Sequence, residues 1–253
     1  MIRLGLCTDI ANIREAEAAG FDYVEGKLNA IAALDAEAYS DVLALVKGSG
    51  IKVERCCLLL PKSMSVIGGA YDERAMVEYL HGAFSRMREL GADIVVFGSG
   101  KSRNIPQGVR WQDAFLQLVA VTKTIGGVAA GYGIRIAIEP LNRTETNLIN
   151  TLAEGAALQA EVDMVNVGLL ADAFHMRREG EPLERISLVS PLMHAHMAMR
   201  EGRAYPVEAD AEVTEFFSAL KASGYDGSVS IEGKSDDWRR DSVAAITAMR
   251  PLC

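Results

Sequence analysis

The sequence predicts an α/β fold: a single (β/α)8 TIM barrel that takes up residues 1–253 as one domain. Three observations predict it. Eight short runs rich in Ile, Val and Leu alternate with longer segments of helical period, the strand count and chain length of such a barrel. A glycine recurs between a helix and the strand that follows it. No Pro-rich or Ser-rich linker interrupts the series. An open doubly wound sheet shares the alternation but rarely runs to eight such evenly spaced units.

In chain order the strands are read at IRLGLC, FDYVEG, IKVERCCLLL, ADIVVFG, IRIAIE, MVNVGLL, LMHAHMAM and GSVSIEG. The junctions AAGFDYVE, GSGIKVE, ELGADIVV, GYGIRIAI and ASGYDGSVSIE each place Gly where a helix ends in a left-handed cap and the chain reverses. After strand three, Asp72 is the expected N-cap of a helix. Its apolar residues Met76, Tyr79, Leu80, Ala83, Met87 and Leu90 fall three and four apart, on one face. Trp111, Phe115 and Leu118 start a second stripe ahead of strand five. Between strands six and seven, REGEPLERIS leaves room for only a short helix.

Bulk properties narrow the partners. A hydrophobic content of 49% supplies a substantial core. A formal net charge of -8 and a pI near 5.1 argue against nucleic acid or an anionic membrane, since both need a basic face. The N-terminus MIRLGLCTDI lacks the apolar region of a signal peptide, and no stretch approaches the roughly 20 apolar residues of a spanning helix. Cys7, Cys56, Cys57 and Cys253 form no C-x-x-C pair, and the adjacent Cys56 and Cys57 should face opposite sides of a strand. The expectation is a soluble, reduced, cytoplasmic protein with a small-molecule partner; a homo-oligomer is left open.

A barrel of this kind carries its active site where the strands end. Strand five ends at Glu139, strand six runs into Asp172, strand seven contains His194 and His196, and strand eight reaches Glu232. Each acid alone could cap the next helix, and a lone histidine is more often a satisfied core residue than a ligand. Together, three carboxylates and an imidazole at one mouth would repel unless a cation lay between them. The oxygen-rich set suits Mn²⁺ first or Mg²⁺, with Co²⁺ and Zn²⁺ admitted by the same geometry. GSGKS at 98–102 is not a P-loop, because Val95 stands where the first Gly is required, and EGKS fails likewise at Ser228. GSGKSRNIP is instead read as a substrate-facing loop, LLLPKSMSVIGG as the segment that sets which sugar is taken, and His81 as a solvated residue on a helix.

The segments IEPLNRTETNLINT, LLADAFHM, HAHMAMREGRAYP and YDGSVSIEG resemble the xylose-isomerase-like barrel superfamily, and within it the ketose 3-epimerases. The likeness covers strands five to eight; strands one to four match only in general pattern. It implies metal ligands at Glu139, Asp172, His196 and Glu232, and substrate contacts from Glu145, His175 and Arg203. The chain departs from the family in two ways. The interval from His196 to Arg203 is one residue longer, with Met199 where an acidic or polar residue is common, and the chain is shorter than a typical member.

The implied chemistry is epimerisation of a ketose through a cis-enediolate, with Glu139 and Glu232 as the acid/base pair. A hydroxypyruvate-isomerase-like aldose-ketose isomerase, a keto-inositol dehydratase and a non-catalytic sugar-binding barrel stay open as alternatives. The apurinic-site endonucleases of the same superfamily need histidine ligands from earlier strands, which four histidines (His81, His175, His194, His196) and an acidic chain do not provide.

Overall fold

The computed structural model describes residues 1–189 and 192–253. Eight parallel strands close on themselves in sequence order, as the sequence predicts: β1 (Arg3–Cys7), β2 (Tyr23–Lys27), β3 (Val53–Cys57), β4 (Ile94–Phe97), β5 (Arg135–Ile138), β6 (Val167–Asp172), β7 (Leu192–Met197) and β8 (Ser228–Ile231). Closure pairs Leu4 with Val229 and Leu6 with Ile231. The helices are α1 (Ile13–Ala19), α2 (Leu28–Ala33), α3 (Ala36–Lys47), α4 (Glu73–Leu90), α5 (Trp111–Gly131), α6 (Leu152–Val162), α7 (Ala173–Glu179), α8 (Ala211–Ala222) and α9 (Trp238–Met249). REGEPLERIS becomes the end of the short α7 and a 3-10 turn over Leu183–Leu188.

The helical stripe after strand three is observed as read. Asp72 accepts a hydrogen bond from the Ala75 N–H, and Met76, Leu80, Ala83, Met87 and Leu90 are buried. Three expectations need correction. Trp111 is 41% exposed and stacks on Phe115 on the outer side of α5, whose buried face runs through Ala114, Leu118, Val121 and Ile125. That helix is long and apolar enough to cross a membrane by length and composition; in this fold its apolar face lies on the barrel wall, between α4 and α6. The junction glycines Gly20, Gly91, Gly133 and Gly224 are left-handed, but Gly50 is not. Its N–H donates to the Glu17 carboxylate at 3.1 Å.

Strand alternation divides the interior in two. Leu4, Leu6, Val95, Phe97, Ile136, Ile138, Ala195 and Val229 face outward into the large core beneath the helices, and Cys56 joins them. Ile94, Val96, Ala137 and Leu170 fill the barrel itself, with Cys57, so the two adjacent cysteines do face opposite ways. Cys7, Leu58 and Met193 pack against that inner cluster, and Glu25, His194, His196, Ser228 and Ser230 supply buried polar groups. Tyr23 lies across Gly5, where a Cβ would be 2.2 Å from its ring, and its hydroxyl hydrogen-bonds Ser230 at 2.8 Å.

Candidate active site

Parallel pairing brings the expected ligands to one level. Glu139 and Glu232 are the first residues past β5 and β8, Asp172 is the last residue of β6, and Asp172 pairs in register with His196 of β7. His196 Nδ1 lies 3.1 Å from Glu232 Oε2, 3.3 Å from Glu139 Oε1 and 3.7 Å from Asp172 Oδ2. One ligand atom from each of the four residues lies within 4.8 Å of all the others. Neighbouring ligands of an octahedral cation with bonds of about 2.1 Å are about 3 Å apart, so the set fits such an ion. Asp172 is both a cap and a member of this set: Oδ1 accepts from the His175 N–H at the start of α7, and Oδ2 turns to His196.

The residue that sequence reasoning missed is Glu25. It is fully buried inside the barrel and accepts from two imidazoles, His194 Nε2 at 2.8 Å and His196 Nε2 at 3.1 Å. Burial alone would push the Glu25 carboxyl up; the two histidines outweigh it and hold the group well below the usual carboxylate range. Burial also keeps His194 below the usual imidazole value despite Glu25. A neutral His194 donating from Nε2 to Glu25 leaves Nδ1 to accept the Ser228 hydroxyl at 3.1 Å. With Nε2–H committed to Glu25, His196 presents Nδ1 to the three carboxylates. Against its burial, Glu25, Glu232, Asp172 and Glu139 raise its affinity for a proton well above normal. A proton or a cation on that side meets the same field of negative charge. The only signal for Glu25 in the sequence is an acid inside FDYVEG, on an inward-facing position of a strand.

The two glutamates differ in surroundings. Burial raises the Glu139 carboxyl above its ordinary value more than the His196 hydrogen bond lowers it, and Glu232 adds to the rise. Burial also pushes Glu232 up, but His196 and Arg203 outweigh it and hold the group below its ordinary value. Arg203 donates to Glu232 Oε2 at 2.6 Å and to the Glu232 carbonyl at 3.1 Å, and its guanidinium lies over the Phe174 ring. Gly202 and Arg203 are both left-handed, which turns the chain so that the guanidinium enters the site.

A cavity of about 270 Å³ opens over Glu139 and Glu232, with Glu145, His175, Arg203, Lys62 and Lys101 in its lining. Wider clefts of about 540 Å³ and 960 Å³ lie away from the strand tips, one beneath the barrel beside Arg55 and Met193 and one beside α8. The polar run after β5 supports the cavity. Asn142 donates to His175 Nδ1 from its backbone at 3.1 Å and bonds the same atom from its side chain at 2.8 Å. That fixes Nδ1 as an acceptor and leaves Nε2–H as a buried donor with no partner among the described residues. Glu145 accepts from Asn142 and pairs with Arg203 at 3.4 Å, while Arg143 pairs outward with Glu179.

Only part of GSGKSRNIP faces the cavity. Ser99, Gly100, Lys101 and Ser102 line it, whereas Arg103 is fully buried behind it and donates to the carbonyls of Phe97 at 3.0 Å and Glu139 at 2.7 Å. Burial pulls the Arg103 guanidinium down to about 10, so it stays charged at neutral pH. His81 is exposed as expected, with Nδ1 3.0 Å from the Tyr132 hydroxyl.

A closed (β/α)8 barrel with a buried acid and histidine cluster at its strand tips defines a class, and the chain belongs to it by sequence. Residues 13–252 match the xylose isomerase-like TIM barrel family, of which this protein is a member. Within that family several relatives carry epimerase names, in line with the resemblance read from the motifs, whereas the 3-dehydroshikimate dehydratase of Pseudomonas aeruginosa is 28% identical over 89% of this chain and 39% of its own length. A probable ketose 3-epimerase from Synechocystis is 31% identical over 189 residues, which are 70% of this chain and 62% of that protein. The ketose 3-epimerase of Arthrobacter globiformis is 25% identical over 88% of this chain and 77% of its own length. In structure, D-psicose 3-epimerase with D-tagatose from Clostridium cellulolyticum H10 superposes with a TM-score of 0.85 at 20% identity, covering 99% of both chains.

Proposed function

We propose that the protein is a divalent-metal-dependent isomerase that epimerises a ketose or related hydroxy-ketone through a cis-enediolate. One observation carries the reading: Glu139, Asp172, His196 and Glu232 converge within 4.8 Å, and Glu139 and Glu232 of that set line a sugar-sized cavity. The epimerase names of the relatives support it. These four residues would hold the cation, Mn²⁺ by the hardness of its ligands, and Glu25 would keep His196 turned to it. Bound there, the cation would polarise the substrate carbonyl and stabilise the enediolate's negative charge.

The chain's own groups do the rest. Glu139 and Glu232 come from strands three apart in the closed order, and each has a carboxylate at the cavity floor. One takes the proton from the substrate carbon and the other returns one to the opposite face. The unpartnered His175 Nε2–H donates to a substrate oxygen, a role for which Asn142 has already chosen its tautomer. Arg203 and Glu145 close the side of the cavity and hold the hydroxyls in register.

The test is proton exchange into a panel of ketoses in heavy water, with Mn²⁺ and then with chelator, comparing wild type with Glu139→Gln. Deuterium at C3 that needs the metal and is lost in the variant is expected. Deuterium at C1 instead would reassign the protein as an aldose-ketose isomerase, and no exchange with any sugar would overturn the proposal.

A further inference from the structure

Two thiols that the reaction does not use stand beside it. Cys7 ends β1 and Cys57 ends β3, and their sulfurs are 3.3 Å apart inside the barrel mouth. A carboxylate oxygen of Glu232 completes a trio whose ligand atoms all lie within 4.8 Å of one another. The contact invites a disulfide, but the topology opposes one. β2 runs between the two strands, pairing Cys7 with Glu25 and Cys57 with Lys27. Two strand spacings separate the α-carbons by roughly 9 Å, whereas a disulfide tolerates at most about 7 Å. The sulfurs can touch, but bonding them would require the barrel to distort.

A cation makes a different demand. Two thiolates bound at about 2.3 Å and at the tetrahedral angle sit about 3.8 Å apart, which a small rotation of either side chain supplies. Sulfur also selects a different ion from the oxygen-rich set next door, favouring soft or borderline cations over Mn²⁺ and Mg²⁺. Cys7 is partly exposed, so the pair is not sealed.

We propose that Cys7, Cys57 and Glu232 form a second cation site, specific for thiophilic divalent ions such as Zn²⁺ and Cd²⁺, that shares Glu232 with the four-ligand centre. Binding releases one proton from each thiol to solvent and forms two metal–sulfur bonds, with no change in oxidation state. Because Glu232 is common to both sites, an ion held by the thiols draws it toward the β1–β3 side, away from His196. The site itself stands on the geometry of the thiols; only its effect on turnover rests on the epimerase reading.

Titration of Cd²⁺ into the purified, metal-free protein under a non-thiol reductant tests it. Two equivalents are expected to bind, one of them with the ultraviolet charge-transfer absorption of cadmium–thiolate bonds. Cys7→Ser and Cys57→Ala should each lose that absorption and one equivalent while keeping the other, which also shows that the variants are folded. A single equivalent without the absorption would overturn the thiol site and leave the four-ligand centre standing. A single equivalent carrying the absorption, lost in Cys7→Ser, would uphold the thiol site and remove the four-ligand centre. Absorption that survives in both cysteine variants would overturn the proposal.

Discussion

Glu25 fixes the ring of His196 without facing the cavity, so its contribution is separable from that of the ligands. In Glu25→Gln the side chain keeps its shape and one acceptor oxygen, but the amide nitrogen cannot accept from the second imidazole. One of the pairs at 2.8 Å and 3.1 Å must then break or re-form with a changed tautomer. Outer partners of this kind change metal affinity by about 10–100-fold. Calorimetric titration of Mn²⁺ should therefore show a dissociation constant higher by that factor, with one site retained. An unchanged constant would mean that β7 alone orients the imidazole.

At the scale of elements, the site depends on how the ends of β4 and β5 are tied. Arg103 sits in the loop after β4 and grips the last carbonyl of β4 and that of Glu139, the residue after β5. Arg103→Met fills the space but removes the donor of the buried Glu139 carbonyl, at about 1–3 kcal/mol, while the Phe97 carbonyl keeps the Glu139 N–H at 3.3 Å. A loss of about 2 kcal/mol corresponds to a fall in melting temperature of about 4–8 °C for a chain of this size. Scanning calorimetry should find it, together with weaker Mn²⁺ binding as Glu139 loses its backbone anchor. A variant that melts with wild type would show that the strand ends are held by the sheet alone. The loop was read from its sequence as a substrate-facing segment, and Lys101 fits that, but the distinction between Lys101 outside and Arg103 inside is made only by the turn at Ser99, a left-handed residue.

For the whole molecule, the buried ionic network makes stability depend on pH. Glu25 is held well below its ordinary value by His196 and His194 in the folded chain. A depressed carboxylate contributes stability that is full above its unfolded pKa of about 4.3 and drains away as pH falls below it. In chelator, wild-type denaturation midpoints should fall between about pH 5 and about pH 3, and Glu25→Gln should descend less steeply over that window. Parallel curves would place the acid sensitivity elsewhere. At neutral pH, Mn²⁺ at about 100 times its dissociation constant should add about 2.7 kcal/mol.

The barrel and the strand-tip acids are legible from residue order alone. Eight apolar runs with helices between them admit little else; Glu139, Asp172 and Glu232 are visible because each ends a run that is otherwise apolar, and His196 because it interrupts one. The boundaries were softer: MVNVGLL suggested a strand over 164–170, whereas β6 runs from Val167 to Asp172 because Met164 to Asn166 are used in turning off α6. Only the tertiary structure decided the roles of Glu25, His194, Arg103 and the pair Cys7 and Cys57. For Glu25 and the cysteine pair the partners lie 50 to 171 positions away, brought together because barrel closure joins β1 to β8 and turns the inward faces of β2 and β7 toward each other; for Arg103 they are carbonyls 6 and 36 positions away, at the ends of two neighbouring strands. No local period records that contact. An inward acid on β2 reads as a solvated strand residue until β7, across the barrel interior, supplies two imidazoles to meet it.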